Sequence, residues 1–242
     1  MKHEEYQKMF KVEDKHWWFV AKRLYAWKFL ELINSRFDSI LDIGCGTGRN
    51  LLMLKHLGRV YGVDSNPLAL KLCLQRGQKN IKLGKAEKLP FTNNKFSLVT
   101  IFDVLYHRGV KSDLKALAEA YRVTKPGGYL LVNDCAHQWL YGPHDLAMQA
   151  RQRYSRSELK SKIKSVGFKI IRASYTNMLI FPFFVIERLV NKYFRLAKQS
   201  DVWLLPQWIN SFLITISRIE AKLLVRTDLP FGSSIMILAR KI

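Results

Sequence analysis

Three glycines at alternate positions, Gly44, Gly46 and Gly48, follow a short apolar run in this sequence. The run, residues 40–43, is rich in Ile and Leu and predicts a buried parallel strand. Leucines at helical spacing follow over residues 50–57, so the segment is predicted to fold as a strand, a loop and a helix. Such a loop presents backbone N–H groups and the positive end of a helix to a ligand at the carboxyl edge of a sheet.

Position 49 restricts the kind of ligand that this loop can hold. A dinucleotide-binding loop in this register requires a third glycine where the chain has Arg49. An arginine side chain there would block the close packing of helix on strand that glycine allows. A P-loop would require Gly-Lys-Ser or Gly-Lys-Thr, which does not follow either. The pattern that begins at Asp42, D-x-G-x-G-x-G, therefore fits neither of these two loops.

A second acidic residue stands at the distance expected for a sugar contact. The apolar residues 60–63 predict a second strand, which ends in Asp64, 20 residues after Gly44 (64 − 44 = 20). A carboxylate at this offset is typical of a group that accepts hydrogen bonds from ribose hydroxyls. Pro67 then predicts the first turn of a helix.

Strand and helix patterns alternate along the rest of the chain. Further strands are predicted from apolar runs at residues 81–86, 96–102, 129–133, 168–173 and 234–239. Helices are predicted between them, at residues 113–123 and 159–166, and a capping box from Ser155 to Glu158 precedes the second helix. The alternation predicts an α/β domain, and 242 residues are ample for one complete core.

The glycine loop, Ala86 to Phe91 (A-E-K-L-P-F) and Lys125 to Gly128 (K-P-G-G) resemble motifs of the class I S-adenosylmethionine (SAM) methyltransferases. Four further segments are similar to one type 11-like subgroup of bacterial and archaeal members: Asp14 to Phe19, Trp139 to Asp145, Arg153 to Leu159, and Leu229 to Ser234. The resemblance implies a SAM-dependent methyltransferase with a Rossmann-like sheet of seven strands, of which the last is antiparallel.

We expect one methyltransferase domain over residues 1–242. Its four parts are an N-terminal helical cap (1–35), a SAM-binding core (36–176), an apolar helical insertion (177–226) and the last strand (227–242).

The resemblance also implies a set of cofactor-binding residues in the glycine loop, at strand ends and in the cap. The set is Asp42, Gly44, Cys45, Gly46, Gly48, Asp64, Ser65, Ala86, Glu87, Phe102, Asp103, Trp18 and Arg23. Within it, Ala86 and Glu87 would lie beside the adenine, and Trp18 and Arg23 would reach the cofactor from the cap. Asp42 is expected to orient the loop and to meet the amino group of the cofactor, directly or through water.

Three titratable residues are candidates for removing a proton from the methyl acceptor: His107, His144 and Asp145. His107 follows the fourth strand, where donor and acceptor would meet, and histidine acts as a base near neutral pH. His144 and Asp145 lie in the loop after the fifth strand, at the edge that usually carries the acceptor site. Members of the family often have Glu before the first of these histidines, where this chain has Tyr106. No metal site is therefore predicted.

The composition is strongly basic, with 40 Lys and Arg against 19 acidic residues and a net charge of +21. Such a charge attracts nucleic acid, anionic lipid or phosphorylated substrates, although basic residues spread over the chain are also typical of solvated faces. Three scattered cysteines provide neither a disulfide framework nor metal-ligand spacing and favour a reducing compartment. The polar first residues lack a signal-peptide pattern, so we expect a cytoplasmic protein, either free or peripheral on the inner face of the membrane.

Two aromatic and apolar segments leave two interpretations open. The aromatics of residues 17–19 cannot all face one side of a helix, so at least one should cover a cofactor or a membrane. The alternative is that Trp17, Phe19 and Trp27 pack the helix onto the sheet. The apolar run 178–186 is shorter than the about 20 residues that span a bilayer. Its aromatic and basic surroundings are typical of interfacial helices, but also of helices that pack on the domain or on a dimer partner.

We predict methyl transfer to a small-molecule, glycan or lipid-linked acceptor, presented under the cap and the insertion. The first alternative is an RNA methyltransferase, which the charge favours; the fourth strand, however, lacks an Asn/Asp-Pro-Pro-aromatic motif after it, and no RNA-binding module is visible. The second alternative is a non-catalytic binding module with the SAM fold. The sequence leaves the oligomeric state open.

Overall fold

The computed structural model describes residues 3–33, 36–193 and 205–242. These ranges contain one seven-stranded sheet in the order β3-β2-β1-β4-β5-β7-β6. The strands are β1 (Phe37–Ile43), β2 (Gly58–Asp64), β3 (Ile81–Leu83), β4 (Phe96–Phe102), β5 (Thr124–Cys135), β6 (Phe168–Thr176) and β7 (Ser234–Lys241). The pairs among β1 to β5 are parallel, whereas β7 runs antiparallel to both β5 and β6. The predicted α/β fold with an antiparallel last strand is confirmed.

Helices cover both faces of this sheet. They are α1 (His3–Val12), α2 (Trp17–Glu31), α3 (Arg49–Leu54), α4 (Pro67–Gln75), α5 (Asp113–Val123), α6 (Pro143–Ala147), α7 (Arg156–Ser165), α8 (Phe181–Tyr193) and α9 (Gln207–Arg226). Successive side chains of a strand point to opposite faces, so Ile40 and Leu41 of β1 enter different cores. Leu41 packs with residues of α5 and α7, and Ile40 with residues of α2, α3 and α9.

Polar caps begin the helices that the sequence predicts. Asn66 accepts a hydrogen bond from Leu68 N–H at 2.9 Å at the start of α4, where Pro67 occupies the first turn. Ser155 Oγ accepts one from Glu158 N–H at 3.1 Å at the start of α7. These caps satisfy backbone donors that have no partner inside the helix.

Several predicted boundaries differ from the structure. β3 ends at Leu83 instead of residue 86, because this edge strand pairs with β2 alone and β2 itself ends at Asp64, the partner of Leu83. β5 begins at Thr124 instead of residue 129, since its first residue pairs with β4 before an irregularity that includes Gly127 at φ +75°. α3 ends at Leu54 instead of residue 57, and β6 extends to Thr176 instead of residue 173.

The first helices and the last long helix close over one end of the sheet. Trp17 N–H at the start of α2 donates to Asn210 Oδ1 of α9 at 2.8 Å, and Asn210 Nδ2 donates to the Lys15 carbonyl at 2.9 Å. Residues 194–204 of the predicted insertion lie outside the described residues. In the three described ranges, no helix has the length and apolarity that crossing a membrane requires.

Candidate functional site

A cavity of about 630 Å³ opens at the carboxyl edge of β1, β2 and β4. Most of the predicted site residues line it: Trp18, Arg23, Gly44, Cys45, Gly46, Asp64, Ser65, Ala86, Glu87, Phe102, Asp103, His107 and His144. Asp42, Gly48 and Asp145 do not belong to the lining in the described part of the chain. The fold therefore brings most of the predicted residues to one place, although they are far apart in sequence.

The three glycines hold the loop in backbone conformations that other residues rarely adopt. Their φ angles are +72° at Gly44, +54° at Gly46 and +85° at Gly48, all in the left-handed region. A Cβ on Gly44 would overlap Cγ2 of Val104, which follows β4. A Cβ on Gly48 would lie 2.9 Å from the sulfur of Cys73 in α4. Gly48 therefore acts on helix packing, whereas Gly44 opens the cavity.

Backbone N–H groups of this loop, which were predicted to face a ligand, donate to groups of β2 instead. Gly44 N–H and Cys45 N–H both donate to the Val63 carbonyl of β2, at 2.7 and 3.0 Å. Gly46 N–H donates to Asp64 Oδ2 at 3.0 Å. These three donors hold the loop on β2 instead of pointing at a ligand. The loop therefore shapes the cavity and lets a ligand come close to the backbone, whereas these N–H groups are already hydrogen-bonded within the protein.

Asp64 ends β2 with a buried carboxylate on the cavity wall. Its Oδ2 accepts from Gly46 N–H, and its Oδ1 accepts from Asn66 N–H at 2.9 Å. Burial raises the pKa of Asp64, whereas the hydrogen bonds from Asn66 and Gly46 lower it. A carboxylate oxygen has two lone pairs, so both oxygens keep capacity for a hydroxyl donor from the cavity.

Asp42 lies one layer behind the glycine loop and is fully buried. Its Oδ1 accepts from Thr100 Oγ1 at 2.6 Å, whereas its Oδ2 has no hydrogen-bond partner among the described residues. Burial raises the pKa of this carboxyl to about 7, and the Asp64 charge acts in the same direction. Because Asp42 is not part of the cavity lining, the geometry favours loop orientation or a contact through water over direct contact.

The raised pKa of Asp42 gives a stability prediction with a defined sign. Between the unfolded pKa of about 3.9 and the folded pKa of about 7, the folded protein keeps a proton that the unfolded chain has released. Folding is therefore opposed as pH rises through this window, by about 1.4 kcal/mol per pH unit for one group. Urea unfolding at pH 5, 6 and 7 should show Asp42→Asn gaining stability relative to wild type with rising pH.

Asp134 provides the control for that comparison. Burial raises its pKa to about 7 as well, and it is unchanged in both proteins, so its contribution cancels in the difference. Equal pH slopes for wild type and Asp42→Asn would show that Asp42 is ionised in the folded protein at pH 5.

Glu87 is anchored beside the cavity by backbone contacts. Its Oε1 accepts from Lys111 N–H at 2.6 Å and from Ser112 N–H at 3.4 Å, just before α5. Ala86 next to it is buried and lines the cavity. The two residues form a small wall that the start of α5 holds in place.

The end of β4 presents a carboxylate on strained backbone. Asp103 has φ +56°, unusual for a residue with a Cβ. Asn133 of β5 braces it, because Asp103 N–H donates to the Asn133 carbonyl at 2.9 Å and Asn133 Nδ2 donates to Asp103 Oδ1 at 3.0 Å. The other oxygen, Oδ2, forms an ion pair with Lys22 of α2. Strain of this kind is concentrated at functional sites.

His107 is held in one tautomer in the cavity wall. Its Nδ1 accepts a hydrogen bond from Gly109 N–H at 2.9 Å, so the proton of the neutral ring is on Nε2. Burial lowers the pKa of His107 to about 4. At neutral pH the ring is therefore uncharged, and its acceptor nitrogen is already used. This geometry favours His107 as a hydrogen-bond donor over the predicted base.

Asp145 is an internal ion-pair partner in this structure. Arg153 Nε donates to its Oδ1 at 2.8 Å and Arg153 Nη2 to its Oδ2 at 3.0 Å, while Gly142 N–H donates to Oδ2 at 2.9 Å. Both side chains of the pair are buried. The geometry therefore favours a role for Asp145 in positioning Arg153 and the loop over proton removal, whereas neighbouring His144 reaches the cavity.

Several residues that complete the cavity were not predicted from the sequence. The first group is Tyr6, Met9 and Glu13 of the cap; the second, from the end of β6 onward, is Ile180, Phe183, Phe184, Glu187, Arg188, Leu205 and Leu213. Ion pairs fix α1 over the glycine loop: Arg76 binds Glu13 at 2.9 Å and Asp14 at 3.1 Å, and Arg49 also pairs with Asp14. These pairs join distant positions, so no local pattern indicates them.

Comparisons with known proteins agree with this geometry. Residues 41–132 match the family model described as a methyltransferase domain. The chain is 38% identical over 112 residues to demethylmenaquinone methyltransferase of Geobacillus stearothermophilus, covering 42% of this chain and 47% of that protein. It is 30% identical over 139 residues to phthiotriol/phenolphthiotriol dimycocerosates methyltransferase of Mycobacterium leprae, covering 54% and 51%. The chain thus spans about half the length of the curated relatives it matches.

A solved structure of a SAM-dependent methyltransferase from Thermotoga maritima has a TM-score of 0.63 to this chain at 19% identity. The match covers 99% of this chain and 96% of that one. At this identity the likeness concerns the fold, and it extends from the cap to the last strand.

Proposed function

We propose, from the premise that this chain carries a class I SAM-dependent methyltransferase domain, that it methylates an apolar small-molecule or lipid-linked acceptor. SAM is the cofactor of this family. One observation carries the proposal: a single cavity joins the glycine loop and Asp64 to a wall of aromatic and aliphatic side chains from α2 and α8. Pockets for small molecules are typically apolar with a few placed polar groups.

The residues present fit the cofactor. Asp64 keeps lone pairs for hydroxyls, and Gly44 leaves room that any side chain would fill, while the unpartnered Oδ2 of Asp42 lies one layer behind the loop. Bound SAM supplies a methyl group on a sulfonium centre. Asp64 would hold the ribose, and Ala86 and Glu87 would lie beside the adenine.

The other residues of the predicted set surround the same space. Gly46, Cys45 and Ser65 form the floor near the loop, Phe102 and Asp103 form the edge at β4, and Trp18 and Arg23 cover it from α2. Arg23 is itself fixed, since its Nη2 donates to the Glu13 carbonyl at 2.7 Å. Methyl transfer then depends mainly on how rigidly these groups position the acceptor.

The acceptor wall supports an apolar substrate. Phe183 and Phe184 of α8 and Trp17 and Phe19 of α2 line the cavity, with Arg153 and His144 as polar groups between them. Two relatives are named for the methylation of demethylmenaquinone and of phthiotriol dimycocerosates. These names support a lipid-like acceptor class. A glycan-linked acceptor is the more polar alternative.

The acceptor class is tested by incubating the protein with methyl-labelled SAM and cell lysate. The products are separated into lipid, small-molecule, glycan and RNA pools. We expect label in the lipid or small-molecule pool. Label in RNA alone would favour an RNA methyltransferase, and SAM binding without label in any pool would favour a non-catalytic binding module.

We further propose that the protein works at an anionic membrane surface. The outer side of α8 exposes Phe183 and Ile186, at 72% and 58%, and that of α9 exposes Trp208 and Phe212, at 74% and 61%. Exposed basic residues accompany α9: Arg218, Lys222 and Arg226. Aromatic side chains beside cations are typical of helices that lie in a headgroup layer. Because Phe183 also lines the cavity, the same surface borders the acceptor entrance.

Flotation with liposomes checks this surface. The protein should float with vesicles containing anionic lipid at low salt, and the fraction bound should fall several-fold in a Phe183→Ser/Trp208→Ser/Phe212→Ser variant, because apolar insertion is lost. The matched control, Leu74→Ser/Leu83→Ser, removes side chains of α4 and β3 that are exposed to a similar degree. Equal flotation of both variants, or none of the wild type, would contradict the proposal.

A further inference from the structure

We propose that Lys22 of α2 is the proton acceptor for methyl transfer and that the acceptor group is a hydroxyl. This inference rests on the proposed function and names the chemistry of its acceptor end. It comes from the juxtaposition of an amine from the cap with a braced carboxylate at the end of β4, inside the shared cavity.

The first support is the position of Lys22. Its side chain extends from α2 into the cavity and pairs with Asp103 Oδ2 at the carboxyl end of β4. The two residues are 81 positions apart, and the side-chain exposure of Lys22 is 12%. Asn133 fixes the other oxygen of Asp103, so the carboxylate has one orientation toward the amine. A base that is oriented by a third group is a recurring arrangement in catalysis.

The second support is the electrostatic environment. Burial lowers the pKa of Lys22 to about 8, and neighbouring Arg23 acts in the same direction. The groups that oppose this are Cys135 and Asp134 of β5 and Glu13 after α1, and Asp103 faces the amine from β4. A base is most effective when its pKa lies near the working pH. Lys22 meets this condition, whereas an exposed lysine amine, with a pKa of about 10.4, does not.

Three other titratable groups in or next to the cavity fit this role less well. The acceptor nitrogen of His107 holds Gly109 N–H, and Asp145 is bound by Arg153. Burial raises the pKa of Tyr106 well above its usual range, so its phenol keeps its proton.

The step is written for a hydroxyl acceptor. A hydroxyl becomes strongly nucleophilic when its proton is removed, and a neutral amine that faces the acceptor space can remove that proton. The neutral amine of Lys22 accepts that proton and becomes an ammonium, which Asp103 stabilises. The acceptor oxygen forms the new C–O bond to the methyl carbon, while the C–S bond breaks and its electron pair stays on sulfur. The charges balance, because one sulfonium is consumed and one ammonium is formed.

Competitive labelling measures the ionisation of Lys22 without any turnover. The full-length protein is treated with trace acetic anhydride from pH 6 to 11, and acetylation at Lys22 is read by peptide mass spectrometry. We expect an apparent pKa near 8 and a lower value in Asp103→Asn, which removes the carboxylate facing the amine. Asp38→Asn, which alters the exposed ion pair with Lys125, is the matched control and should leave Lys22 unchanged. Titration near 10.4, or no response to Asp103→Asn, would overturn the proposal.

Methyl transfer into the pool labelled by wild type gives the second measurement. Arginine keeps the charge and the pairing with Asp103 but cannot lose its proton at these pH values. Lys22→Arg should therefore lower the rate by about 100-fold or more, with SAM affinity within about threefold. The wild-type rate should rise about tenfold per pH unit up to pH 8, as expected for one ionising base. Full activity of Lys22→Arg would exclude Lys22 as the proton acceptor and leave the proposed function standing. No label with wild type would exclude both the proposed function and the role of Lys22.

Discussion

Asp64→Ala is expected to weaken SAM binding by about 1–3 kcal/mol, the scale for losing a buried charged hydrogen-bond partner. This corresponds to an increase in Kd of about 5- to 150-fold. The carboxylate has two tasks, since it faces the cavity and also accepts Gly46 N–H and Asn66 N–H. Its removal therefore takes away the sugar contact and loosens the loop together.

Calorimetric titration with SAM measures this effect, and Asp64→Asn separates the two tasks. The amide keeps one oxygen for hydroxyl donors but loses the charge and one acceptor, so its loss should be smaller. Asp38→Ala, at the amino end of β1 and away from the cavity lining, should bind SAM as wild type does. An unchanged affinity of Asp64→Ala would mean that the ribose is bound elsewhere.

Gly44→Ala is expected to abolish measurable SAM binding and to lower the free energy of unfolding by about 2–5 kcal/mol. The backbone strain of a Cβ at positive φ contributes about 1–2 kcal/mol, and forcing Val104 aside adds a cost of overpacking of about 1–3 kcal/mol. The displaced Val104 also narrows the cavity, since both residues line it.

Gly77→Ala is a close control, because Gly77 has φ +73° against +72° at Gly44 and no atom within 4 Å of the added Cβ. It should show the backbone strain alone, with SAM binding intact. Urea unfolding and calorimetry on both variants separate strain from steric overlap. Equal losses in the two variants would show that the overlap with Val104 is relieved at little cost.

The fold was predictable from the sequence where its determinants are local. The strand-loop-helix unit around Gly44 needs only an apolar run, glycines and leucine spacing, and the structure has it as predicted. The offset of Asp64 from this loop follows from the length of one helix and one strand. Edges were less predictable: β3 stops at Leu83, because an edge strand with one partner has fewer hydrogen bonds to extend it.

The site was predictable only in part, because several of its groups depend on distant partners. Asp145 next to a histidine was predicted as a candidate base, but Arg153, eight positions later, binds it inside the protein. Lys22 was not among the predicted site residues, and only the placement of α2 against β4 buries it. The cover by α1 depends on Arg76 binding Glu13, 63 positions away. Such pairings leave no periodic signal in a single sequence.

The two walls of the cavity come from separate parts of the chain. Apart from the cap, residues 43–135 supply the side that would hold the nucleoside. The opposite side is drawn largely from residues 180–188 together with Leu205 and Leu213. Sequence drift in the second stretch can therefore retune which molecules are accepted while the first stretch stays intact. Grafting the later stretch from a related chain onto this core would therefore exchange the acceptor specificity without changing the cofactor side.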